Sequence, residues 1–424
     1  MTFHRVLVVG AGRAGVAAAE ELRRQGFRGE VMILHDEAGG PYDRPSCAKG
    51  ILTGHKRPQD VRLPIQDGTE VTWQLGRRAV HLDTIAHTVY TDTDEVYEYD
   101  GLVIATGAYP AAPPGWPIGE PGLHMLYRLS DAWALRGDLR DAETVAVVGA
   151  GLTGCEVAHA VRSMARRCVL VDSKPWVMAR PLGDHVGRMV TTELARDHVD
   201  LRLGRRVSSL KQGRRGWVLV LDDGESIEAD VVVASTGERP DTGWLESTPG
   251  LDVSDGVLCD ENLRVVGAED VVAAGTVARW PNLRYSARPS RVGQWIAALE
   301  QGRGAARTLL AGDAYVPPVT HVPRFWSDQF GLRIQVCGQL PQDGGVSVTM
   351  QRPGRRDVAR AGVVVGYHVE DQLVGLVAVN APHAFTSLTR AMLGTATHLV
   401  APQPLEVPAA AHAPVPPRRL AAVS

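Results

Sequence analysis

Paired cysteines, long apolar runs and a strong net charge are all missing from this sequence. Its five cysteines, Cys47, Cys155, Cys168, Cys259 and Cys337, form no CxxC pair, which argues against a zinc site, an iron–sulfur cluster or a thioredoxin-like dithiol. No apolar stretch approaches the length of a membrane span. A net charge of −3 gives no global field that would favour nucleic acid or a membrane surface. These absences favour a reduced, cytoplasmic protein.

Two segments of the chain share one pattern. Val6–Gly15 reads VLVVGAGRAG, and Val145–Gly154 reads VAVVGAGLTG. Each is a β-branched run followed by GxGxxG and a helical stretch, and the next strand, Val31–Asp36 or Val169–Asp172, ends in an acid. Strand, glycine turn, helix and strand within about thirty residues form the dinucleotide-binding unit. Two copies predict two dinucleotides that face each other.

The glycines of this unit have separate tasks. The first makes a tight turn, the second lets the backbone approach a pyrophosphate, and the third lets the helix pack on the sheet. The helix N-terminus then binds the phosphates through unpaired N–H groups and its dipole. The residues concerned are Gly10, Gly12 and Gly15 in the first copy, and Gly149, Gly151 and Gly154 in the second.

Length and composition predict several domains. A chain of 424 residues is too long for one hydrophobic core. A Pro-rich stretch at 109–117 indicates a crossover between domains, and alternating strand signals begin after Tyr315. The N-terminus enters a predicted strand at once, which leaves no room for a signal peptide. We predict an α/β fold with a discontinuous first nucleotide domain (1–117 and 237–316), a second nucleotide domain (118–236), a C-terminal α+β domain (317–400) and a disordered tail (401–424).

Further motifs resemble one family. In chain order they are PYDRPSCAK at 41–49, YDGLVIATG at 99–107, GAGLTGCE at 149–156, EQGR at 300–303 and FWSDQFG at 325–331. Together they resemble the FAD-dependent NADH:ferredoxin reductases that serve oxygenases, a group that includes putidaredoxin reductase and is related to apoptosis-inducing factor. The combination is far more specific than any single motif, because the matches occur in family order over roughly residues 3–400.

The resemblance implies an FAD in the first domain and NADH in the second. Lys49 would lie near the isoalloxazine, where a cation stabilises negative charge on the reduced ring, and Glu156 would lie near the nicotinamide. Asp36, with Glu37 beside it, would bind the adenosine ribose. Arg128 would reach the flavin from the second domain, and Trp295 and Trp326 would pack close to the flavin or to the partner-facing edge. The remaining implied cofactor contacts are Gly10, Gly12, Ala14, Gly15, Arg44, Val80, Thr106, Gly107, Gly149, Gly151, Gly154, Gly237, Gly275 and Thr276.

Asp172 predicts the choice of coenzyme. An acid at the end of this strand hydrogen-bonds the 2′-hydroxyl of NADH and repels the 2′-phosphate of NADPH. Lys174, two residues further on, could soften that repulsion. We therefore expect NADH rather than NADPH.

Three positions depart from the family pattern. Thr276 stands where the family's AxGD element has an aspartate that binds the FAD ribityl chain, so we expect weaker FAD retention. Gly293 replaces an acid in the segment similar to R-V-E-x-W. Cys47 replaces a leucine, and a thiolate near a flavin could attack a disulfide or persulfide, although a small packed side chain is the alternative.

The sequence thus predicts hydride transfer from NADH to FAD, followed by single electrons passing to a [2Fe–2S] ferredoxin, without a metal. Two alternatives remain: a thiol, disulfide or persulfide reductase that uses Cys47, and a weak-flavin binding module that has lost activity. Acidic ferredoxins require a local basic patch. The candidates are Arg324 and Arg333 around the FWSDQ motif, and the cluster Arg352, Arg355, Arg356 and Arg360.

Overall fold

The computed structural model describes residues 3–340, 346–351, 362–369, 372–394 and 400–401. The helices are α1 Arg13–Arg24, α2 Leu129–Leu139, α3 Leu152–Ser163, α4 Ala179–Arg196, α5 Trp295–Ala311 and α6 Pro382–Gly394. The strands are β1 Arg5–Val9, β2 Glu30–His35, β3 Thr72–Leu75, β4 Ala79–Asp83, β5 Thr88–Thr91, β6 Val96–Glu98, β7 Gly101–Ile104, β8 Ala108–Pro110, β9 Leu123–Met125, β10 Thr144–Val148, β11 Arg167–Asp172, β12 Asp200–Leu203, β13 Val207–Gln212, β14 Trp217–Leu221, β15 Ser226–Ala229, β16 Val231–Ala234, β17 Glu238–Pro240, β18 Val257–Leu258, β19 Val271–Ala273, β20 Ala278–Trp280, β21 Ser290–Arg291, β22 Arg324–Gln329, β23 Leu332–Gly338, β24 Val346–Gln351, β25 Val363–Val369 and β26 Gln372–Val379.

Two five-stranded parallel sheets form the larger part of the fold. The first has the order β19-β7-β1-β2-β3, and the second has the order β12-β11-β10-β16-β9. In each sheet the glycine-rich turn follows the middle strand, β1 or β10. Helix α1 then connects β1 to its parallel neighbour β2, and α3 connects β10 to its parallel neighbour β11. The strands are almost wholly buried, as expected for parallel sheets that are covered on both faces.

The first sheet brings together distant parts of the chain. β19 pairs with β7 from Val271↔Leu102 to Ala273↔Ile104. Helix α5 packs against α1 so closely that a Cβ on Gly302 would lie 2.2 Å from the Ala14 carbonyl oxygen. The segment after the second sheet therefore returns to the first.

The C-terminal part is an antiparallel sheet with the order β22-β23-β26-β25-β24, and α6 packs beside it. One apolar core connects this sheet to the second parallel sheet and contains Val147, Leu170, Ile334 and Val377. Smaller antiparallel sheets β4-β5-β6 and β13-β14-β15 are separate from the two parallel ones, with β6 close to β1 and β15 close to β10. Two parallel nucleotide-type sheets and a C-terminal α+β part confirm the predicted fold class.

The remaining expectations about organisation differ in their outcome. Among the described residues, no helix is long and apolar enough to cross a membrane. All but the first residue of the predicted tail, 401–424, lies outside the described residues, as do Arg352, Arg355, Arg356 and Arg360. The exact domain limits stay a prediction.

Candidate active site

One large cleft runs along the carboxyl ends of the first parallel sheet. Its volume is about 1880 Å³, and it is lined by residues from both parallel-sheet regions and from the C-terminal sheet. Pockets for a single small ligand usually measure about 300–1,000 Å³. The cleft therefore has room for a dinucleotide.

The first glycine-rich turn forms one wall of the cleft. Gly10 has φ 108°, and a Cβ there would lie 2.3 Å from the Ala105 carbonyl oxygen. A Cβ on Gly15 would lie 1.9 Å from the carbonyl oxygen of Gly10, whereas Gly12 faces open space. Gly10, Gly12 and Ala14 line the cleft and Gly15 lies behind them. Since α1 has no side-chain cap, its first N–H groups remain available to an anion.

An ion-pair network occupies the end of β2. Asp36 pairs with Arg128, which reaches it from the segment before α2. Glu37 accepts a hydrogen bond from the Tyr42 hydroxyl at 3.0 Å and pairs with Arg44 at 3.2 Å. Asp36, Arg44 and Arg128 line the cleft, and Glu37 supports them from behind. Arg128, which the resemblance implies reaches the flavin, therefore pairs instead with Asp36 at the end of the cleft where the adenosine is expected.

The end of β2 also brings together three residues of the types that bind metal ions. His35, Asp36 and Glu37 bring potential ligand atoms within 4.8 Å of one another. Both carboxylates, however, already pair with arginines, and this positive charge opposes the binding of a cation.

Thr106 and Gly107, which follow β7, also line the cleft. Val80 does not: its side chain is 45% exposed, and its neighbour Ala79 lines the cleft instead. Successive residues of a strand face opposite sides, so the side-chain contact in this cleft comes from Ala79 and not from the predicted Val80. Gly237 has φ 117° and lies just outside the lining.

The second glycine-rich turn repeats the geometry of the first. Gly149 has φ 105°, and a Cβ there would lie 2.1 Å from the Ser235 carbonyl oxygen. A Cβ on Gly154 would lie 1.8 Å from the carbonyl oxygen of Gly149, whereas Gly151 faces open space. These glycines do not line the large cleft, but the helix that they introduce, α3, contributes Glu156 to it.

Asp172 lies at the end of β11 beside this turn. Its carboxylate accepts hydrogen bonds from the backbone N–H groups of Ala150, at 2.6 Å, and Lys174, at 2.7 Å. The carboxylate is thus held next to the glycine-rich turn, in the position from which a ribose hydroxyl can be bound.

Lys49 and Glu156 meet at the wall of the cleft, and Ser327, which is buried and does not line the cleft, joins them from a third part of the sequence. The Lys49 ammonium lies 3.3 Å from Glu156 Oε1 and donates to the Trp326 carbonyl oxygen at 3.3 Å. The Ser327 hydroxyl donates to Glu156 Oε1 at 2.5 Å. Ser327 was missed by sequence reasoning, although it lies inside the FWSDQ motif.

Two opposing effects act on the pKa of Glu156 in this cluster. Burial raises the pKa of Glu156, while Lys49 and the Ser327 hydrogen bond act to lower it. A carboxyl with a raised pKa beside a lysine can change its protonation when a charge develops nearby.

Cys47 lines the cleft within a π-helical turn, Cys47–Ile51. The residue is only 2% exposed and belongs to the apolar core. Burial raises the pKa of its thiol to about 12, although Arg44 acts to lower it. A thiol of this kind is not ionised near neutral pH, which argues against the disulfide-reducing alternative.

The two other departures from the family pattern are neighbours. Gly275, Thr276 and Gly293 line the same wall of the cleft. The Gly275 N–H donates to Gln301 Oε1 at 2.7 Å. A Cβ on Gly293 would lie 3.4 Å from Thr276 Cγ2 and 2.6 Å from Glu238 Oε1. Glu238 was not identified from the sequence.

Several polar groups on the cleft wall fit a bound dinucleotide. Buried atoms without a hydrogen-bond partner include Arg13 Nε, His35 Nε2, Gln294 Oε1 and Trp295 Nε1. Each belongs to a residue that lines the cleft, and buried polar atoms normally have a partner. With the uncapped start of α1, these atoms offer donors and acceptors to an FAD.

The outer edge of the cleft carries Trp326, which is 48% exposed. Arg324 pairs with Glu300 at 3.0 Å, so much of its charge is already balanced. Arg333 lies 3.8 Å from Asp328, and both side chains are more than half exposed. Of the two arginines predicted to flank this edge, Arg333 is the freer one.

Comparison with known proteins adds to this geometry. Residues 4–302 match the family described as pyridine nucleotide-disulphide oxidoreductase, and residues 324–405 match the family described as reductase C-terminal. The chain is 31% identical to the biphenyl dioxygenase system ferredoxin–NAD(+) reductase component of Paraburkholderia xenovorans strain LB400, over 94% of this chain and 95% of the relative.

Two solved structures are similar over the same length. Putidaredoxin reductase in its covalent complex with putidaredoxin has a TM-score of 0.83 at 25% identity, over 92% of this chain and 93% of its own. The ferredoxin reductase for the CYP199A2 system from Rhodopseudomonas palustris has a TM-score of 0.83 at 26% identity, over 93% and 96%. The resemblance predicted from the motifs is confirmed, and the chain belongs to the pyridine nucleotide-disulphide oxidoreductase family, with a reductase C-terminal domain.

Proposed function

We propose that the protein transfers a hydride from NADH to FAD and then passes single electrons to a [2Fe–2S] ferredoxin that serves an oxygenase. One observation carries the proposal: a single cleft joins the first glycine-rich turn, Glu156 after the second turn, and the partly exposed Trp326. The proposed flavin site, nicotinamide site and exit for electrons would thus adjoin one another. Relatives named as ferredoxin reductase components of oxygenase systems support the same activity.

The residues of the cleft would have separate tasks. When bound, FAD accepts the hydride and releases electrons one at a time. Gly10, Gly12 and Ala14 would lie against its pyrophosphate, and the ion pair of Asp36 with Arg128 would hold the adenosine end. Lys49 would stabilise negative charge near the ring.

The nicotinamide side would depend on the second unit. Gly149, Gly151 and Gly154 would form the phosphate-binding turn for NADH. Asp172 would accept a hydrogen bond from the 2′-hydroxyl, and Glu156 would orient the nicotinamide while its charge is balanced by Lys49. The chemistry requires geometry and electrostatics rather than a residue that acts on a substrate as acid or base.

We assign the FAD domain to 1–117 and 237–316, the NADH domain to 118–236 and the C-terminal domain to 317–400. The pairing of β19 with β7 supports the discontinuous first domain. We also propose a cytoplasmic location, since all five cysteines are free and buried, as is usual in a reducing compartment.

The proposal predicts a yellow protein with one FAD per chain. Anaerobic addition of NADH should bleach the flavin absorbance, and a [2Fe–2S] ferredoxin should then be reduced catalytically. A colourless protein that does not take up FAD would favour the weak-flavin binding module. A flavoprotein that oxidises NADH but does not reduce any ferredoxin would contradict the acceptor.

Cys47 allows a separate test of the thiol-based alternative. Because its thiol is buried and its pKa is raised to about 12, Cys47→Ser should keep NADH-dependent reduction of ferricyanide and ferredoxin within about threefold, or about 0.7 kcal/mol. Turnover with disulfide and persulfide acceptors should be equally low in both proteins. If Cys47→Ser abolishes a substantial persulfide reductase activity, the alternative is correct.

A further inference from the structure

Position 293 holds a glycine although its backbone does not require one. Gly293 is absent from the residues with positive φ. A Cβ built there would lie 2.6 Å from Glu238 Oε1 and 3.4 Å from Thr276 Cγ2. The carboxylate of Glu238 therefore occupies the space that a side chain at position 293 would take.

The backbone of Glu238 belongs to a sheet, whereas its side chain lines the cleft. It begins β17, where it pairs with Pro110 of β8, and its side chain lines the cleft. Burial raises the pKa of the Glu238 carboxyl, and Arg291, which itself pairs with Asp255 at 2.9 Å, acts to lower it. The oxygens of Glu238 are thus free to accept hydrogen bonds from a ligand in the cleft.

The surrounding wall needs polar partners. Gln294 Oε1 and Trp295 Nε1 are buried without a hydrogen-bond partner, and both residues line the cleft beside Gly293. Thr276, on the other side, has a hydroxyl but no charge. The Glu238 carboxylate and Thr276 both border the space beside Gly293, and positions 276 and 293 are the two where the family pattern has acids.

We propose that Glu238 is an FAD-binding residue whose carboxylate occupies the side-chain space of position 293 and accepts hydrogen bonds from the ribityl hydroxyls. It supplies from β17 the negative charge that Gly293 and Thr276 lack. The inference rests on the FAD binding of the proposed function. It also changes one sequence-based expectation: FAD should be retained fully despite Thr276.

A set of three variants tests the exchange of carboxylates. The dissociation constant of FAD is measured by diluting each purified holoprotein and following flavin fluorescence. Glu238→Ala should raise it at least about tenfold, which corresponds to about 1.4 kcal/mol. Gly293→Glu should also raise it, because two carboxylates compete for one space. The double variant should return to within about threefold of the wild type, since Glu at position 293 then fills the space left by Glu238.

One further variant serves as a control and another as a second test. Glu246→Ala removes an exposed acid from the segment just after β17 and should leave FAD binding unchanged. Glu238→Gln keeps the shape but removes the charge, so the flavin midpoint potential should become more positive. This measurement remains available if Glu238→Ala does not fold.

Three results would overturn the proposal: wild-type FAD affinity in Glu238→Ala, a double variant that binds no tighter than Glu238→Ala, or an unchanged potential and affinity in Glu238→Gln. A wild-type protein without FAD would instead contradict the proposed function.

Discussion

Glu156 connects three parts of the protein through one carboxylate. Lys49 comes from the π-helical turn of the first domain, and Ser327 comes from β22 of the C-terminal sheet. Without these partners a buried carboxylate would favour its neutral form. The cluster therefore couples the charge of one residue to the docking of two segments.

Removal of Lys49 should disturb this balance in a defined direction. Burial raises the pKa of Glu156 and Lys49 acts to lower it. In Lys49→Met the carboxyl should therefore stay protonated up to a higher pH. The pH dependence of NADH-driven flavin reduction should shift upward, and the rate at neutral pH should fall about tenfold, or about 1.4 kcal/mol.

Stopped-flow measurements across pH would check this result. Lys211→Met, which removes an exposed lysine from β13, is the matched control and should behave like the wild type. If the Lys49→Met profile keeps its midpoint, the pair does not control the reductive half-reaction.

At the scale of an element, the end of β11 should determine the coenzyme. The Asp172 carboxylate accepts hydrogen bonds from two backbone N–H groups, so its negative charge is held in a fixed position. We expect NADH to be preferred to NADPH by at least about tenfold, or about 1.4 kcal/mol. Asp172→Asn keeps an acceptor but removes the repulsion, and should reduce the preference by a similar factor.

The measurement is kcat/KM with both coenzymes for the wild type and Asp172→Asn. Asp222→Asn, a substitution in the turn after β14, controls for the loss of one negative charge. Equal efficiency with both coenzymes in the wild type would mean that Asp172 does not contact the 2′-position.

The two nucleotide units could be predicted from the sequence because their signals are local. The predicted strands Val6–Val9 and Val145–Val148 correspond to β1 and β10. Each apolar run, its glycines and its terminal acid lie within about thirty residues, and parallel strands buried on both faces require such runs. The strand signals after Tyr315 are local in the same sense, and the apolar run from Leu373 to Val379 lies within β26.

Contacts between distant segments could not be predicted in this way. Ser327 and Glu156 are 171 positions apart, and Glu238 reaches the space beside Gly293 from another strand. Neither contact leaves a periodic or compositional signal. From the sequence, Gly293 indicates only the loss of an acid. The fold shows that the Glu238 carboxylate occupies the space beside Gly293.

At the scale of the whole molecule, the protein must attract a partner without a favourable net charge. Its formal charge is −3, and ferredoxins are generally acidic. Association therefore depends on a local positive region near the exit of the electrons. The positive charge of Arg324 is largely balanced by Glu300. Arg333 is exposed on β23. It lies close to Trp326, because Trp326 pairs in register with Gln335, two residues further along the same strand.

Reversal of this charge should slow docking but not chemistry. Arg333→Glu should reduce the rate of ferredoxin reduction about tenfold at low ionic strength, because steering changes association rates by such factors. The difference should shrink as salt approaches the range in which the Debye length is about 8 Å. Ferricyanide reduction should stay unchanged, since this small acceptor does not need the docking surface.

Arg214→Glu, in an exposed loop of the second domain, changes the net charge equally and should leave both rates intact. If both arginine variants slow ferredoxin reduction alike, overall charge rather than this edge governs the encounter.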